Sequence, residues 1–470
     1  QADSTYNIDV RASDGQAASD TSFAVTVESA VDQPETIAID INQSFGDATD
    51  STNYRLVGLP GQVDLPIEET LEGEPGGSGD WRAFWDDGSP NDGLVEFDGS
   101  AQFNFRPGRG FWVLSKNNWT VQREVNTVAL DGQNRASIPL HDGWNIISNP
   151  LSADVAWSDV QSANGNFSEP LWSFTGSFNQ SNTFASAQTG EAYYFLNDAG
   201  LNSLQIPFPT GSGSSAAVAE KNADAQVLRL DALVGEETAS SAWVGVRPNA
   251  KDGKDSFDYF APPSHFTKAS LSVANEKVES PHSLAGDLRP TGKEGHRYTL
   301  ALKTKKADGN LKLRVNGLST LANDQQVRLY NTDTGRRHDL QSSPTVDVKA
   351  SGDKSTFALL LGSSSYVKEQ GAEFVPDKLA LRQNYPNPVQ TRGQTTLEYS
   401  LPEQRDVSIR IYDVLGRRVR TLLDGKSQRA GVHTLRWDAR NEQGQSVASG
   451  VYFARLKAGQ TRTIKIVVID

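Results

Sequence analysis

Apolar and polar residues alternate along most of this chain. A period of two predicts strands, and no segment carries a helical period of useful length. Near the start, "YNIDVRAS" and "TSFAVTVES" flank Asp14-Gly15 and predict a hairpin within residues 1–35. Its apolar face is Ile8, Val10, Ala12, Phe23, Val25 and Val27. A lone hairpin is marginal in water, and its open edges invite pairing. The expectation is therefore that the face is covered, either by residues 36–60 or by strands of a neighbouring copy or an upstream segment, the second being favoured.

Residues 36–210 contain an internal repeat. "NYRLVGLP" (Asn53–Pro60) returns as "GWNIISNP" (Gly143–Pro150), and "DWRAFWDDG" (Asp80–Gly88) as "PLWSFTGS" (Pro170–Ser177). "RPGRGFWVL" (Arg106–Leu114) returns as "QTGEAYYFL" (Gln188–Leu196). This pairs Tyr54 with Trp144, Trp81 with Trp172, Phe111 with Tyr193 and Trp112 with Tyr194. It predicts two similar β units packed as one body. Residues 209–224 are small and polar and read as a linker. Residues 225–365 alternate again ("QVLRLDALV", "AWVGVRP", "RYTLALKTK", "STFALLLG") and predict a β-sandwich. Residues 366–378 read as a second linker. Residues 379–470 carry strands at even spacing with turns at Leu415-Gly416, Asp424-Gly425 and Ala458-Gly459. The predicted class is all-β, with tandem β-sandwich or Ig-like domains joined by short linkers.

Composition narrows the chemistry. The 470 residues include no Cys and no Met, which removes disulfides, thiolate metal sites and cysteine catalysis. No two of the six His lie within five residues of one another, so no local His metal pair exists. No apolar run is long enough to span a bilayer. The sequence opens on Gln rather than Met and carries no signal-peptide pattern, as expected of a mature or trimmed chain. The net charge of −13 is uneven: residues 1–220 hold 8 Lys/Arg against 30 Asp/Glu, and residues 371–470 hold 16 against 10. An acidic front argues against nucleic acid as a partner.

Asp252, Asp255 and Asp258, with Asp287 further on, are candidate oxygen ligands for Ca2+. Their spacing of three departs from a calcium loop, and the same residues serve polar turns. The loop Asp86–Gly93 reads as exposed. Among the aromatics, those that recur in both repeats read as core. Trp85 and Trp119 do not recur and are the candidates for stacking on a ligand such as a sugar. Gly76–Asp80 fails as a nucleophile elbow, and Asp424–Ser427 fails as a P-loop. With no catalytic arrangement evident, the chain is expected not to be an enzyme.

Two resemblances add to this reading. Tyr6–Val27 followed by Val31–Pro34 resembles the end of a cadherin-like repeat of bacterial surface proteins. Residues 384–470 resemble the C-terminal type A sorting domain of type IX secretion substrates. The landmarks are Asn384, Tyr385, Pro386, Asn387 and Pro388, then Tyr412, Gly416, Arg417, Trp437, Gly450, Tyr452 and Lys465. Val389 stands where Phe is commoner. The resemblance implies a Gram-negative bacterium, export by the type IX outer-membrane machinery, and a place outside the cell or on the outer-membrane surface. It also implies anchoring to surface lipopolysaccharide or release; Arg417, Arg418 and Arg420 are candidate contacts with such an anion, or else a solvated strand face. The segments "GVRPNAKDGKDSFDYFAPP" (245–263) and "AGDLRP" (285–290), and the repeat before them, resemble uncharacterised modules that precede such tails.

The expected function is a non-enzymatic C-terminal portion of a secreted surface protein, structural or adhesive. The alternatives are an accessory tail of a larger secreted hydrolase and a carbohydrate-binding module.

Overall fold

The computed structural model describes residues 4–13, 18–27, 33–89, 93–209, 225–278, 283–304, 311–332, 335–348, 354–376 and 378–470. They form two compact units, Gln1–Ala223 and Asp224–Asp470. Strands dominate, and among the described residues no helix is long and apolar enough to cross a membrane. The first hairpin pairs Ser4–Ser13 with Ala18–Val27. Its side chains, Phe23 and Val25 among them, lie outside the described residues, as does most of the linker before residue 225.

The body that follows is a duplication visible in its connectivity. A four-stranded sheet has the spatial order Arg55–Gly58, Gly110–Ser115, Trp81–Asp86, Leu94–Glu96. A second has the same order: Gly143–Ile147, Tyr193–Asn197, Leu171–Phe174, Phe178–Ser181. Each half adds a long pair, Thr36–Gln43 with Trp119–Asn126 in the first and Arg135–Pro139 with Ser203–Pro207 in the second. Each adds a short pair, Leu65–Pro66 with Asn104–Phe105 and Val155–Ala156 with Thr183–Phe184. A 3-10 turn, Ile67–Glu69, follows the short strand in the first half, and an α-helix, Trp157–Ala163, in the second. The helix was not foreseen; Trp157 and Val160 bury one face of it at a spacing of three.

The halves meet across a pseudo-twofold axis. Val57 corresponds to Ile147 and Arg109 to Glu191, so the bridges Val57↔Glu191 and Arg109↔Ile147 are one contact seen from either side. Likewise Gly58 N–H donates to Gly190 O at 3.1 Å, and Ser148 N–H to Gly108 O at 3.0 Å. This is the isologous geometry of a homodimer, built within one chain. Register also corrects the sequence alignment at one point. Phe84 lies opposite Trp112 and Trp172 opposite Tyr194, so Phe84, not Trp81, is the counterpart of Trp172. Trp81 and Trp172 are both buried, but Trp81 serves its own half, donating Nε1–H to Gly73 O and meeting Phe97 edge-on at 4.9 Å.

In the second unit an 11-stranded sheet runs through residues 226–363. Alternate residues of Gln226–Val234, Glu237–Arg247 and Leu311–Asn316 point inward, with Leu228, Leu230, Ala242, Val244 and Leu313 fully buried. The stretch read as a linker at 366–378 is instead largely helical. Ser363 caps the helix Ser364–Gly371 by accepting from Tyr366 N–H. Val367 packs with Tyr330 and Leu360, and Phe374 stacks on Tyr330 at 4.6 Å.

The last 90 or so residues form two facing sheets. One holds Ala380–Leu381, Thr395–Leu401 and Gly431–Trp437; the other holds Val389–Gln390, Gln460–Ile469, Gly450–Ala458, Arg405–Asp413 and Arg418–Gln428. Trp437, Tyr452, Leu397, Ile411 and Ile466 fill one end of the core; Tyr399, Leu401, Val407, Ile409 and Leu456 fill the other.

Candidate functional site

The motif that opens the terminal sandwich is stitched onto its last strand. Asn384 is buried and donates Nδ2–H to Thr395 Oγ1 at 2.8 Å and to Pro386 O at 3.1 Å. Tyr385 pairs with Thr396 through both backbone groups, 3.1 and 2.9 Å. Asn387 Oδ1 accepts from Val467 N–H at 2.8 Å, and Gln383 Nε2–H donates to Lys465 O at 2.7 Å. Val389 then runs parallel to Val468. The two Asn side chains thus satisfy backbone groups that a sheet edge would leave open. The Lys465 side chain is exposed, and its carbonyl is what the motif uses.

The remaining motif residues shape the same end of the sandwich. Trp437 is fully buried against Tyr452, whose hydroxyl donates to Ala448 O at 2.8 Å. Gly416 turns the hairpin at φ +74°. Arg417 pairs with Asp413 at 2.7 Å, Arg420 donates to Asn441 O at 2.6 Å, and Arg455 lies 4.6 Å from the ring centre of Tyr412. Arg417 and Arg420 therefore already serve the fold, while Arg418 is exposed.

Large apolar side chains left in water mark this end. Among the described residues these are Tyr385 (79% exposed), Leu415 (74%), Val414 (65%) and Ile469 (44%), all in the terminal sandwich. The ladder Asp413↔Tyr452↔Ile466 carries the Val414-Leu415 tip past the sheet end where Gly450 pairs Val468 and Ile469 follows. Tyr385 flanks it through Asn387, bonded to Val467. The tip was not singled out from sequence. The available signal was two adjacent apolar residues before a turn glycine, where a turn favours polar ones.

The proposed calcium residues lie close together but are otherwise occupied. Asp258 is fully buried; its two oxygens accept from Leu288 N–H at 2.8 Å and Asp255 N–H at 2.9 Å. Asp255 accepts from Lys251 N–H and Phe257 N–H. Asp252 pairs with Lys293 at 2.6 Å and Lys277 at 3.2 Å. Asp287 holds the guanidinium of Arg289 at 2.8 Å. Among the described residues no three His, Asp or Glu are grouped to hold a metal ion. The arrangement instead pins residues 251–260 to the strand Leu284–Pro290. Burial pushes the Asp258 carboxyl up to about 7, and burial lowers His296 below its usual value.

Neither ligand tryptophan is free. Trp119 is fully buried, donates to Thr70 Oγ1 at 3.0 Å and stacks on Phe105 at 5.8 Å. That removes it as a ligand platform. Trp85 is half-buried, edge-on to His141 at 5.8 Å, with Arg109 at 5.4 Å over its ring. Asp86, expected in an exposed loop, is buried and accepts from the Tyr194 hydroxyl of the other half.

Residues 387–462 match the family model of the FlgD Ig-like domain. PorZ, an essential surface component of the type IX secretion system of Porphyromonas gingivalis, is 24% identical over 24% of this chain and 14% of its own (TM-score 0.16). FlgD from P. aeruginosa is 23% identical over 17% of this chain and 62% of its own (0.15). Dimeric latent PorU from Porphyromonas gingivalis is 11% identical over 52% and 30% (0.17). The chain spans less than two thirds of each of these proteins. No curated protein matches it. The all-β class with an Ig-like terminal domain agrees with expectation.

Proposed function

We propose that residues 379–470 are the export address of a secreted, non-enzymatic surface protein. On this reading the type IX outer-membrane machinery reads the end of the sandwich formed by Tyr385, Val414, Leu415 and Ile469. The observation that carries it is the coincidence of two features. The motif landmarks resembling a sorting domain converge on one end of the sandwich, and that end keeps its apolar residues in water. Exposing such side chains wastes burial free energy of about 25 cal/mol per Å2, and exposed apolar patches mark sites of interaction. The preceding domains are then the cargo, displayed outside a Gram-negative cell.

The test is a periplasmic reporter fused to residues 379–470 in a type IX-competent host. The expected result is reporter outside the outer membrane, with export abolished when Gly459–Asp470 is deleted. Reporter held in the periplasm contradicts the proposal.

A further inference from the structure

The 11-stranded sheet between residues 226 and 363 carries an unassigned row of side chains on its outer face. Register aligns Asn316, Arg229, Trp243, Gly286 and Tyr259 across five adjacent strand positions. Their in-facing neighbours Leu228, Leu230, Ala242, Val244 and Val315 are core, so alternation turns this row outward. Trp243 and Tyr259 are half-buried, and the Arg229 guanidinium lies 5.8 Å from the ring centre of Trp243. Gly286 lies between them. Gly286 is itself buried; a Cβ there would sit 3.2 Å from the Tyr259 ring and 3.9 Å from Trp243 Cβ, so glycine lets the Tyr259 ring lie close over the strand beside Trp243. Two strand spacings separate them, about 9–10 Å.

One residue pair along, the same face is polar and organised. Asp231 accepts from Arg229 Nε–H at 2.8 Å, Ser241 Oγ–H at 2.7 Å, Asn316 Nδ2–H at 2.9 Å and Arg314 Nη2–H at 3.2 Å. The carboxylate is buried, but the Arg229 and Arg314 side chains remain 46% and 42% exposed. It thus holds two guanidiniums in fixed orientation, each on a partly exposed side chain. Arg247, two positions beyond Gly245 on the Trp243 strand, lies 4.1 Å from the ring centre of Phe257. On this face the partly exposed Arg229 and Arg314 side chains flank the single buried carboxylate of Asp231.

The geometry points to a binding site for an acidic polysaccharide, a glycan chain bearing carboxylates. Flat aromatic faces take the apolar C–H face of successive sugar rings, while fixed polar groups set orientation. Pre-oriented guanidiniums match a carboxylate bidentately. A nucleic acid is the poorer fit, since phosphate binding scales with the number of neutralising cations and Asp231 already takes up part of this charge. The buried Asp258 bonds support the row by fixing residues 255–260, and with them Phe257 and Tyr259, to the strand of Gly286.

Titration calorimetry of the full chain with polygalacturonate, a neutral β-glucan and single-stranded oligo-dT tests this. Polygalacturonate is expected to bind; Trp243→Ala and Tyr259→Ala are each expected to weaken it at least tenfold, with the melting transition retained. Gly286→Val, which displaces the Tyr259 ring without removing it, is expected to weaken it comparably, and Arg314→Gln is expected to weaken polygalacturonate binding as well. No binding of polygalacturonate, binding indifferent to both Tyr259→Ala and Gly286→Val, or preference for the neutral glucan or the DNA would overturn the proposal.

Discussion

The duplicated body at residues 36–208 and the terminal sandwich at 379–470 spend their aromatic and aliphatic side chains differently. In the duplicated body Trp112, Trp119, Phe103, Phe105, Phe111, Phe184, Tyr194 and Phe195 are fully buried, and rings of the two halves meet: Trp112 lies 4.8 Å from Phe174 and 5.9 Å from Tyr194. A unit of some 80 residues gains little from its own core; doubling it shares one aromatic seam between two. The terminal sandwich closes its core with fewer rings and leaves Val414 and Leu415 at a hairpin tip. The first region is organised for its own cohesion. The second carries apolar residues that cohesion does not need, and the functional reading rests there.

The largest effect expected is from cutting the seam. Trp112→Ala should cost about 3–5 kcal/mol in denaturant unfolding, and Phe174→Ala, its neighbour across the seam at 4.8 Å, a similar amount. A loss of under about 1 kcal/mol for both would separate the halves. Next is overfilling the axis. A side chain at Gly110 would start 2.7 Å from Ala192 Cβ and Ile146 Cγ2, so Gly110→Val should cost about 1–3 kcal/mol. A neutral result would mean the halves do not meet closely.

A pH handle distinguishes the intervening 11-stranded sheet from both. The Asp258 carboxyl, at about 7, binds its proton more tightly folded than unfolded. Its neutral form therefore favours folding at acid pH, and that contribution is lost as pH rises from about 4 to 7. His296 acts oppositely: lowered by burial, it costs stability as pH falls below its ordinary value. The informative quantity is the difference between wild type and Asp258→Asn, whose gap in melting temperature should change across pH 4–7. A pH-independent gap would contradict the assigned burial.

Alternation along each strand made the all-β class readable, and recurrent phrases located the halves of the repeat, because a strand's side-chain period survives in sequence. Three things did not survive. Trp81 and Trp172 matched by residue type while register pairs Trp172 with Phe84, since cross-strand partners are set by long-range pairing. Trp119 was missed as core because its place depends on Thr70 and Gly190, distant in sequence. The helix Ser364–Gly371 hid in a polar stretch because only Val367 and Gly371 are buried. Asp252, Asp255 and Asp258 are candidate ligands by residue type, but sequence does not reveal that backbone N–H groups and lysines occupy their oxygens.

The smallest stability effect expected belongs to the residues with the largest proposed functional one. Val414→Ser with Leu415→Ser should change unfolding free energy by no more than about 0.5 kcal/mol per site, as for exposed positions generally. The decisive measurement is the fraction of full-length double variant outside the outer membrane of a type IX-competent host, with folding checked in parallel. The account predicts folded protein retained in the periplasm; folded protein reaching the surface at the wild-type level would contradict it.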